Sequence, residues 1–320
     1  MTDFWEGVPG MPERLDAVRR RMHAVVGSDR FPLADAIGRL IDANGKMLRP
    51  AFLLMAGRFG KRPKDLTDLA AAIELLHIAT LIHDDVIDVA DTRRGVSTIH
   101  ALYGPKDAVL AGDWLFSRCF RLASDSSSPD NARLLAALIG ALCSEEIHQD
   151  LERFQWPRSV RNYLRKIAGK TAALFSLALR AGAIESKAPA AVVEALTRVG
   201  YDAGMAFQIM DDVLDYESSA QDMRKPVGKD IREGLCTLPL ILALRSDPSR
   251  LEPFLGSASP DEGAIEHIVR VVRESGSLEA ARSLAARYTR RSLDELDRLP
   301  AGAARDELHT TVERLLTRKY

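Results

Sequence analysis

The fold is read from the stretch Leu69-Ala70-Ala71-Ala72-Ile73-Glu74-Leu75-Leu76-His77-Ile78-Ala79-Thr80-Leu81-Ile82-His83-Asp84-Asp85-Val86-Ile87-Asp88. Leu69, Ile73, Leu76, His77 and Thr80 recur at the i, i+3, i+4 spacing of a helix. Charges are scarce between Ala70 and Ile82, so this helix should be buried on most sides. It runs into the triplet Asp84-Asp85-x-x-Asp88. Residues four apart share a helix face with Cβ atoms about 6 Å apart, so Asp84 and Asp88 project together, and Asp85 sits about 100° round the axis. Clustered carboxylates among apolar neighbours are costly unless a cation compensates them. A donor set of oxygens alone suits a hard ion such as magnesium, which is usually completed by water and substrate phosphates.

A lone triplet is a weak signal, since a solvated helix end produces the same pattern. The sequence repeats it at Phe207-Gln208-Ile209-Met210-Asp211-Asp212-Val213-Leu214-Asp215, again among apolar residues. A bland reading must now account for the same costly pattern twice. Two such clusters facing each other would make a multi-metal clamp for a diphosphate.

Further helical runs are expected over about 33–42, 47–59, 107–122, 132–154, 160–183, 190–215 and 235–243, and again from Gly263. Turn signals separate them at Asn44-Gly45, Tyr103-Gly104-Pro105, 125–130 and Asp247-Pro248. No segment sustains two-residue alternation, so no strands are expected. The reading is one all-α domain over residues 1–320.

Composition fits that picture. The 320 residues are 46% hydrophobic and 28% charged, enough for a sizeable core. Forty-four basic and 45 acidic residues leave a net charge of −1, which excludes a global field for nucleic acid. Cys119, Cys143 and Cys236 are widely spaced, so neither a disulfide framework nor a zinc site is expected, and a cytoplasmic setting is. The first nine residues lack the pattern of a signal peptide. The longest apolar stretches, such as Ala51 to Ala56, read as too short to span a bilayer, so membrane contact is expected to be peripheral at most.

Basic residues answer the acidic ones. Gly45-Lys46-Met47-Leu48-Arg49-Pro50 brings two cations to a helix start. Arg93-Arg94-Gly95 follows the first triplet. Lys166 and Lys170, with Thr171, share a helix face, and Lys225 and Lys229 follow the second triplet. Arginine grips a diphosphate as a fork and lysine as a point charge.

In this order the motifs resemble those of the trans-isoprenyl diphosphate synthases (polyprenyl synthetases). The set is Gly45-Lys46-x-x-Arg49-Pro50, Glu74-x-x-His77, Asp84-Asp85-x-x-Asp88 with Arg93-Arg94-Gly95, Gly112-Asp113, Lys170-Thr171, Phe207-Gln208-x-x-Asp211-Asp212-x-x-Asp215, Lys225-Pro226-x-Gly228-x-Asp230 and Gly234-x-x-Thr237-Leu238-Pro239. The resemblance implies a single-domain isoprenoid synthase fold, long helices around a deep apolar cavity, usually as a homodimer. It implies head-to-tail addition of isopentenyl diphosphate to an allylic diphosphate (geranyl, farnesyl or geranylgeranyl). Asp84, Asp88 and Asp211 would be the main ligands of about three magnesium ions, supported by Asp85, Asp212 and Asp215. Lys46, Arg49, His77 and Arg94 would hold isopentenyl diphosphate. Arg93, Lys170, Lys225 and Lys229 would hold the allylic diphosphate, with Thr171 and Gln208 at the reacting carbons. Two departures stand out: Arg224 precedes Lys225 where the family often has Gly, and Glu145 precedes Glu146-x-x-Gln149 where Gly is usual.

Product length should be set along the first triplet's helix. Ala79 and Thr80, then Leu76, lie a turn or more before Asp84. Short-chain enzymes of the family tend to carry an aromatic ring near the position of Ala79. The small floor here implies a medium or long all-trans product, about C30–C40, for quinone side chains. The phrase from His77 to His83 resembles the catalytic subunit of two-component heptaprenyl diphosphate synthases. A shorter-chain synthase, or a subunit active only with a small regulatory partner, is the alternative. A terpene cyclase fits less well, because its second metal motif mixes Asn, Ser and Glu.

Overall fold

The structure is a computed structural model, and it describes residues 3–28, 31–43, 45–61, 64–156, 159–217, 227–256 and 258–317. Among the described residues it is all-α apart from one short ladder. In chain order the helices are α1 (Met11–Gly27), α2 (Ala34–Asp42), α3 (Leu48–Ala56), α4 (Thr67–Ile87), α5 (Ile99–Tyr103), α6 (Pro105–Ser126), α7 (Pro129–Leu151), α8 (Val160–Ile167), α9 (Ala173–Glu185), α10 (Ala190–Glu217), α11 (Lys229–Arg232), α12 (Leu238–Ser246), α13 (Pro248–Leu251), α14 (Glu262–Glu274), α15 (Ser277–Asp297) and α16 (Ala303–Thr317). A π-helical turn, Ala168–Ala172, joins α8 to α9.

The ladder corrects the expectation of no strands. Thr92–Arg93 (β1) pairs antiparallel with Val96–Ser97 (β2), with Arg93 opposite Val96. Arg94 (φ 51°) and Gly95 (φ 82°) both lie in the left-handed region. Two consecutive positive φ values are the geometry of a tight hairpin turn, and each strand is too short to show alternation. A second correction concerns apolar length. The helical stretch Val160–Glu185 is long and apolar enough to cross a membrane, but 61% of its apolar window is buried within the protein, as for a core helix.

The chain divides into two compact units. The first comprises Met1–Ala137, Leu177–Thr197 and Ala301–Leu308. Its centre is α4, which packs on α1, α3 and α6. Asp65 Oδ1 accepts the Thr67 N–H at 2.9 Å and satisfies a donor at the helix start. Ala70, Ala71, Ala72, Leu75, Leu76 and Ala79 are all fully buried, so α4 is enclosed as its sequence predicts. Gly182 of α9 gives the backbone of α3 room: a Cβ there would lie 2.2 Å from the Leu53 carbonyl oxygen.

The second unit comprises Leu138–Ser176, Arg198–Pro300 and His309–Tyr320. One core cluster joins Tyr163, Ile167, Ala172, Met205, Ile209, Met210 and Val213 to Leu238 and Ala285. Another is built on Tyr216, Ile231, Leu240 and Leu244 with Ile268 and Val272 of α14. Gly200 and Gly204 of α10 allow a close backbone approach. Cβ atoms there would lie 2.7 Å from the Phe175 oxygen and 2.6 Å from the Ala172 Cα. Gln208 is the next residue at this four-residue interval, so the same face carries it to Thr171.

Candidate active site: carboxylates and cations in each unit

In the first unit, α4 ends at its triplet. The Asp88 N–H closes the helix on the Asp84 carbonyl at 2.8 Å. The next two bonds, Val89 N–H to Val86 and Ala90 N–H to Asp85, form a Schellman end. Asp84 and Asp88 are half-buried, and Asp85 is only 1% exposed. Carboxylates in the last turn of a helix meet the negative end of its dipole, so this terminus favours a cation.

Asp85 is committed elsewhere. Nε and Nη2 of Arg93 both lie 2.7 Å from its Oδ1. The hairpin therefore plants Arg93 against the triplet and presents Arg94 at its turn. Arg94 lies close to Gly45: a Cβ there would be 3.3 Å from Nη1. Arg49 sits in the first turn of α3, whose N-cap Met47 is left-handed. Lys46 precedes it, with Nζ 4.8 Å from the Phe4 ring centroid and its carbonyl held by Trp5 Nε1 at 2.9 Å. Burial holds His77 well below its usual pKa, and the charges of Arg49, Arg94 and Arg93 add to the effect. Arginines around a neutral imidazole, one of them in the first turn of α3, make surroundings suited to an anion.

His83 is a hydrogen-bonding residue of the α4–α6 contact. Nε2 lies 3.2 Å from the Val109 carbonyl and 3.4 Å from Asp113 Oδ1. A Cβ on Gly112 would come within 2.2 Å of that nitrogen, which explains the Gly112-Asp113 motif physically.

In the second unit, Lys170 and Thr171 lie in the π-helical turn, a distortion often found at functional sites. Lys170 Nζ pairs with Glu146 Oε1 at 2.6 Å. Thr171 donates to Gln208 Oε1 at 2.8 Å, Gln208 Nε2 donates to Asp212 Oδ1 at 2.9 Å, and the Tyr163 hydroxyl donates to Asp212 Oδ2 at 2.5 Å. Burial pushes the Asp212 carboxyl up to about 7; its two donors oppose that, and Asp211 and Asp215 reinforce it. Burial also raises Asp215, against backbone N–H bonds from Asp230 and Lys229. Its Oδ2 is buried without a hydrogen-bond partner. Desolvation raises Asp230 well above its ordinary value, with Asp215 and Asp212 adding to the shift. Lys229 pairs with Glu233 at 3.1 Å. Lys225 lies outside the described residues.

These residues fit magnesium. The donors are all oxygens, an orphaned carboxylate oxygen is present, and mutual repulsion among the acids calls for positive charge. Among the described residues no three such side chains form a ready-made cage. Two residues escaped the sequence reading as site members. Tyr163 stands two helical turns before Thr171 and so shares its face. Glu146 stood only as a motif position, Glu146-x-x-Gln149, with no role assigned, until its pairing with Lys170.

The comparisons agree with this architecture. The polyprenyl synthetase family model matches residues 32–272. Heptaprenyl diphosphate synthase component 2 of Geobacillus stearothermophilus is 35% identical over 92% of this chain and 92% of its own length. The nonaprenyl diphosphate synthase of Mycobacterium tuberculosis is 33% identical over 98% and 92%. A solved polyprenyl synthase from Caulobacter crescentus, complexed with calcium and isoprenyl diphosphate, superposes with a TM-score of 0.93 at 33% identity, covering 100% of this chain and 98% of that one. The chain belongs to the polyprenyl synthetase family and is thereby a prenyltransferase.

Proposed function

We propose that the chain adds isopentenyl diphosphate to an allylic diphosphate and makes a medium- or long-chain all-trans polyprenyl diphosphate, about C30–C40. One observation carries this reading. In the first unit, a carboxylate pair suited to a metal-held diphosphate adjoins an arginine-rich site suited to a diphosphate bound directly, and Arg93 and Arg94 of one hairpin serve the two. A condensation of two diphosphate substrates needs both kinds of site.

Magnesium, when bound, neutralises the leaving diphosphate. Asp84 and Asp88 in the first unit, and Asp211 with Asp215 in support in the second, would hold such ions. Lys46, Arg49, His77 and Arg94 hold isopentenyl diphosphate. Arg93, Lys170, Lys225 and Lys229 bind the allylic diphosphate, and Glu146 releases Lys170 when that anion arrives. Thr171 and Gln208 present oxygens to the reacting carbon. No side-chain nucleophile is needed, because positioning and exclusion of water suffice for attack by the alkene. Buried Ala79 and Leu76, with Thr80, leave the growing chain room.

The family match runs through segments of both units, which supports one polyprenyl synthetase domain over 1–320. Exposed Leu102, Tyr103, Val109, Leu110 and Phe120 on α5 and α6 support a homodimer. The likeness to a synthase component supports a second reading, a catalytic subunit that requires a small partner. We place the enzyme in the cytoplasm, in peripheral contact with membranes at most, supplying quinone side chains.

The test is diphosphate release by the purified chain with farnesyl and isopentenyl diphosphates. Magnesium-dependent turnover is expected. Turnover only after adding a second protein supports the two-component reading, and none in either case overturns the proposal.

A further inference from the structure

Asp212 stands between Asp211 and Asp215 in sequence, but its side chain is only 5% exposed and both of its oxygens are occupied. The Tyr163 hydroxyl donates to Oδ2 at 2.5 Å and Gln208 Nε2 donates to Oδ1 at 2.9 Å. Beyond Gln208, Thr171 donates to Oε1 at 2.8 Å. Tyr163 is itself 5% exposed, so the Tyr163–Asp212 end of the chain of bonds is buried, while Gln208 is half-buried.

The chain has a direction, and one member sets it. A primary amide has the same shape either way round, so packing does not choose which end of Gln208 faces which neighbour. Thr171 does not choose either, because a hydroxyl rotates to donate or accept. Asp212 Oδ2 accepts from the Tyr163 hydroxyl and Oδ1 accepts from Gln208 Nε2, so Asp212 holds the NH2 of Gln208 toward itself and turns the carbonyl oxygen toward Thr171. That end matters, because developing positive charge is stabilised by lone pairs and opposed by N–H dipoles.

We infer that Asp212 is a positioning residue rather than a magnesium ligand: anchored by Tyr163, it fixes the direction of the Gln208 amide so that an oxygen meets the ionising allylic carbon. The inference rests on the proposed placement of Thr171 and Gln208 at the reacting carbons. It separates the middle aspartate of the second triplet from its neighbours.

Asp212→Asn tests it. Asn keeps the shape but brings an NH2 that can face Gln208, so the direction of the Gln208 amide is no longer fixed. The expected result is a kcat about 100-fold lower, the scale of a misplaced catalytic group. The magnesium concentration for half-activation and the Kd of unreactive farnesyl thiodiphosphate should each move less than about twofold. Tyr163→Phe should lower kcat about tenfold, the scale of one lost hydrogen bond. Tyr163→Phe combined with Asp212→Asn should be no worse than Asp212→Asn alone, since both act through one chain. A roughly tenfold rise in the magnesium requirement of Asp212→Asn, with weaker analogue binding, would make Asp212 a ligand and overturn the inference.

A readout free of catalysis separates this from the assigned function. In glutamine-15N-labelled protein, the Gln208 side-chain amide protons should exchange slowly with solvent, and fast in Asp212→Asn. Exchange at the rate of free glutamine in the unaltered protein overturns the network. Slow exchange in a protein that fails to elongate any primer leaves the network standing and removes the proposed function.

Discussion

Arg93 grips Asp85 through two nitrogens, with Nε and Nη2 each 2.7 Å from the same Oδ1. The contact ties the hairpin to the end of α4. It explains why a triplet aspartate facing away from Asp84 and Asp88 is nonetheless acidic: its partner is an arginine. Asp85 is almost fully buried, so the pair is little screened. A double-mutant cycle with Asp85→Asn and Arg93→Gln should give a coupling energy of about 1–3 kcal/mol. Asp85→Asn should also raise the KM for the allylic substrate, because Arg93 loses its anchor. Additive stability losses would remove the pair from this account.

Val89 follows the first triplet in the left-handed region, at φ 49°. It occupies the position of a Schellman end that glycine usually fills, and a β-branched residue there is strained. The side chain is 69% exposed and holds no core contact to lose. Val89→Gly should therefore stabilise by about 1 kcal/mol, the left-handed penalty of about 1–2 less the entropy that glycine adds to the unfolded chain. Urea unfolding checks this: the midpoint should rise at constant slope. An unchanged or lower midpoint contradicts it.

Asp202 is buried, at 3% exposure, and ion-paired with Arg291 at 3.1 Å. Burial pushes its carboxyl up to about 6; Arg291 opposes this and Glu295 adds to it. A folded pKa above the unfolded value of about 3.9 means that the native state binds the extra proton. The stabilisation from Asp202 is then complete below about pH 4 and is lost as pH rises through 6. Asp202→Asn should accordingly gain about 1–2 kcal/mol relative to the unaltered chain between pH 4 and pH 7. Denaturant midpoints across that range report it, and a gain independent of pH would refute the assignment.

Ala79 is fully buried one turn before Asp84's neighbours. The proposed function makes it the floor beneath the growing chain, so it should shorten the product when enlarged. Ala79→Tyr is expected to shift the product distribution down by several isoprene units, read by chromatography of products from labelled isopentenyl diphosphate. An unchanged length with retained activity would mean that the small residue serves helix packing alone.

Much of this was legible in the sequence for a plain reason. Leu69 to Ile82 repeats its apolar residues at the helical period without interruption, so α4 and its shared Asp84–Asp88 face followed directly. The hairpin at Thr92–Ser97 did not, because two-residue strands carry no alternation; its signal was Gly95 alone. The Asp85–Arg93 pair crosses a turn that helical spacing does not describe. The π-helical turn at Lys170 changes the phase of one turn without changing composition. Tyr163 belongs to no motif in the sequence, and only its hydroxyl's contact with Asp212 distinguishes it. Lys225 remains an expectation of the motif.

The most direct test is the mass of the product. The purified chain should be incubated with magnesium, isopentenyl diphosphate and, in turn, geranyl, farnesyl and geranylgeranyl diphosphates. The account predicts all-trans polyprenyl diphosphates of about C30–C40 from each primer. Products that stop at C15 or C20 would contradict it.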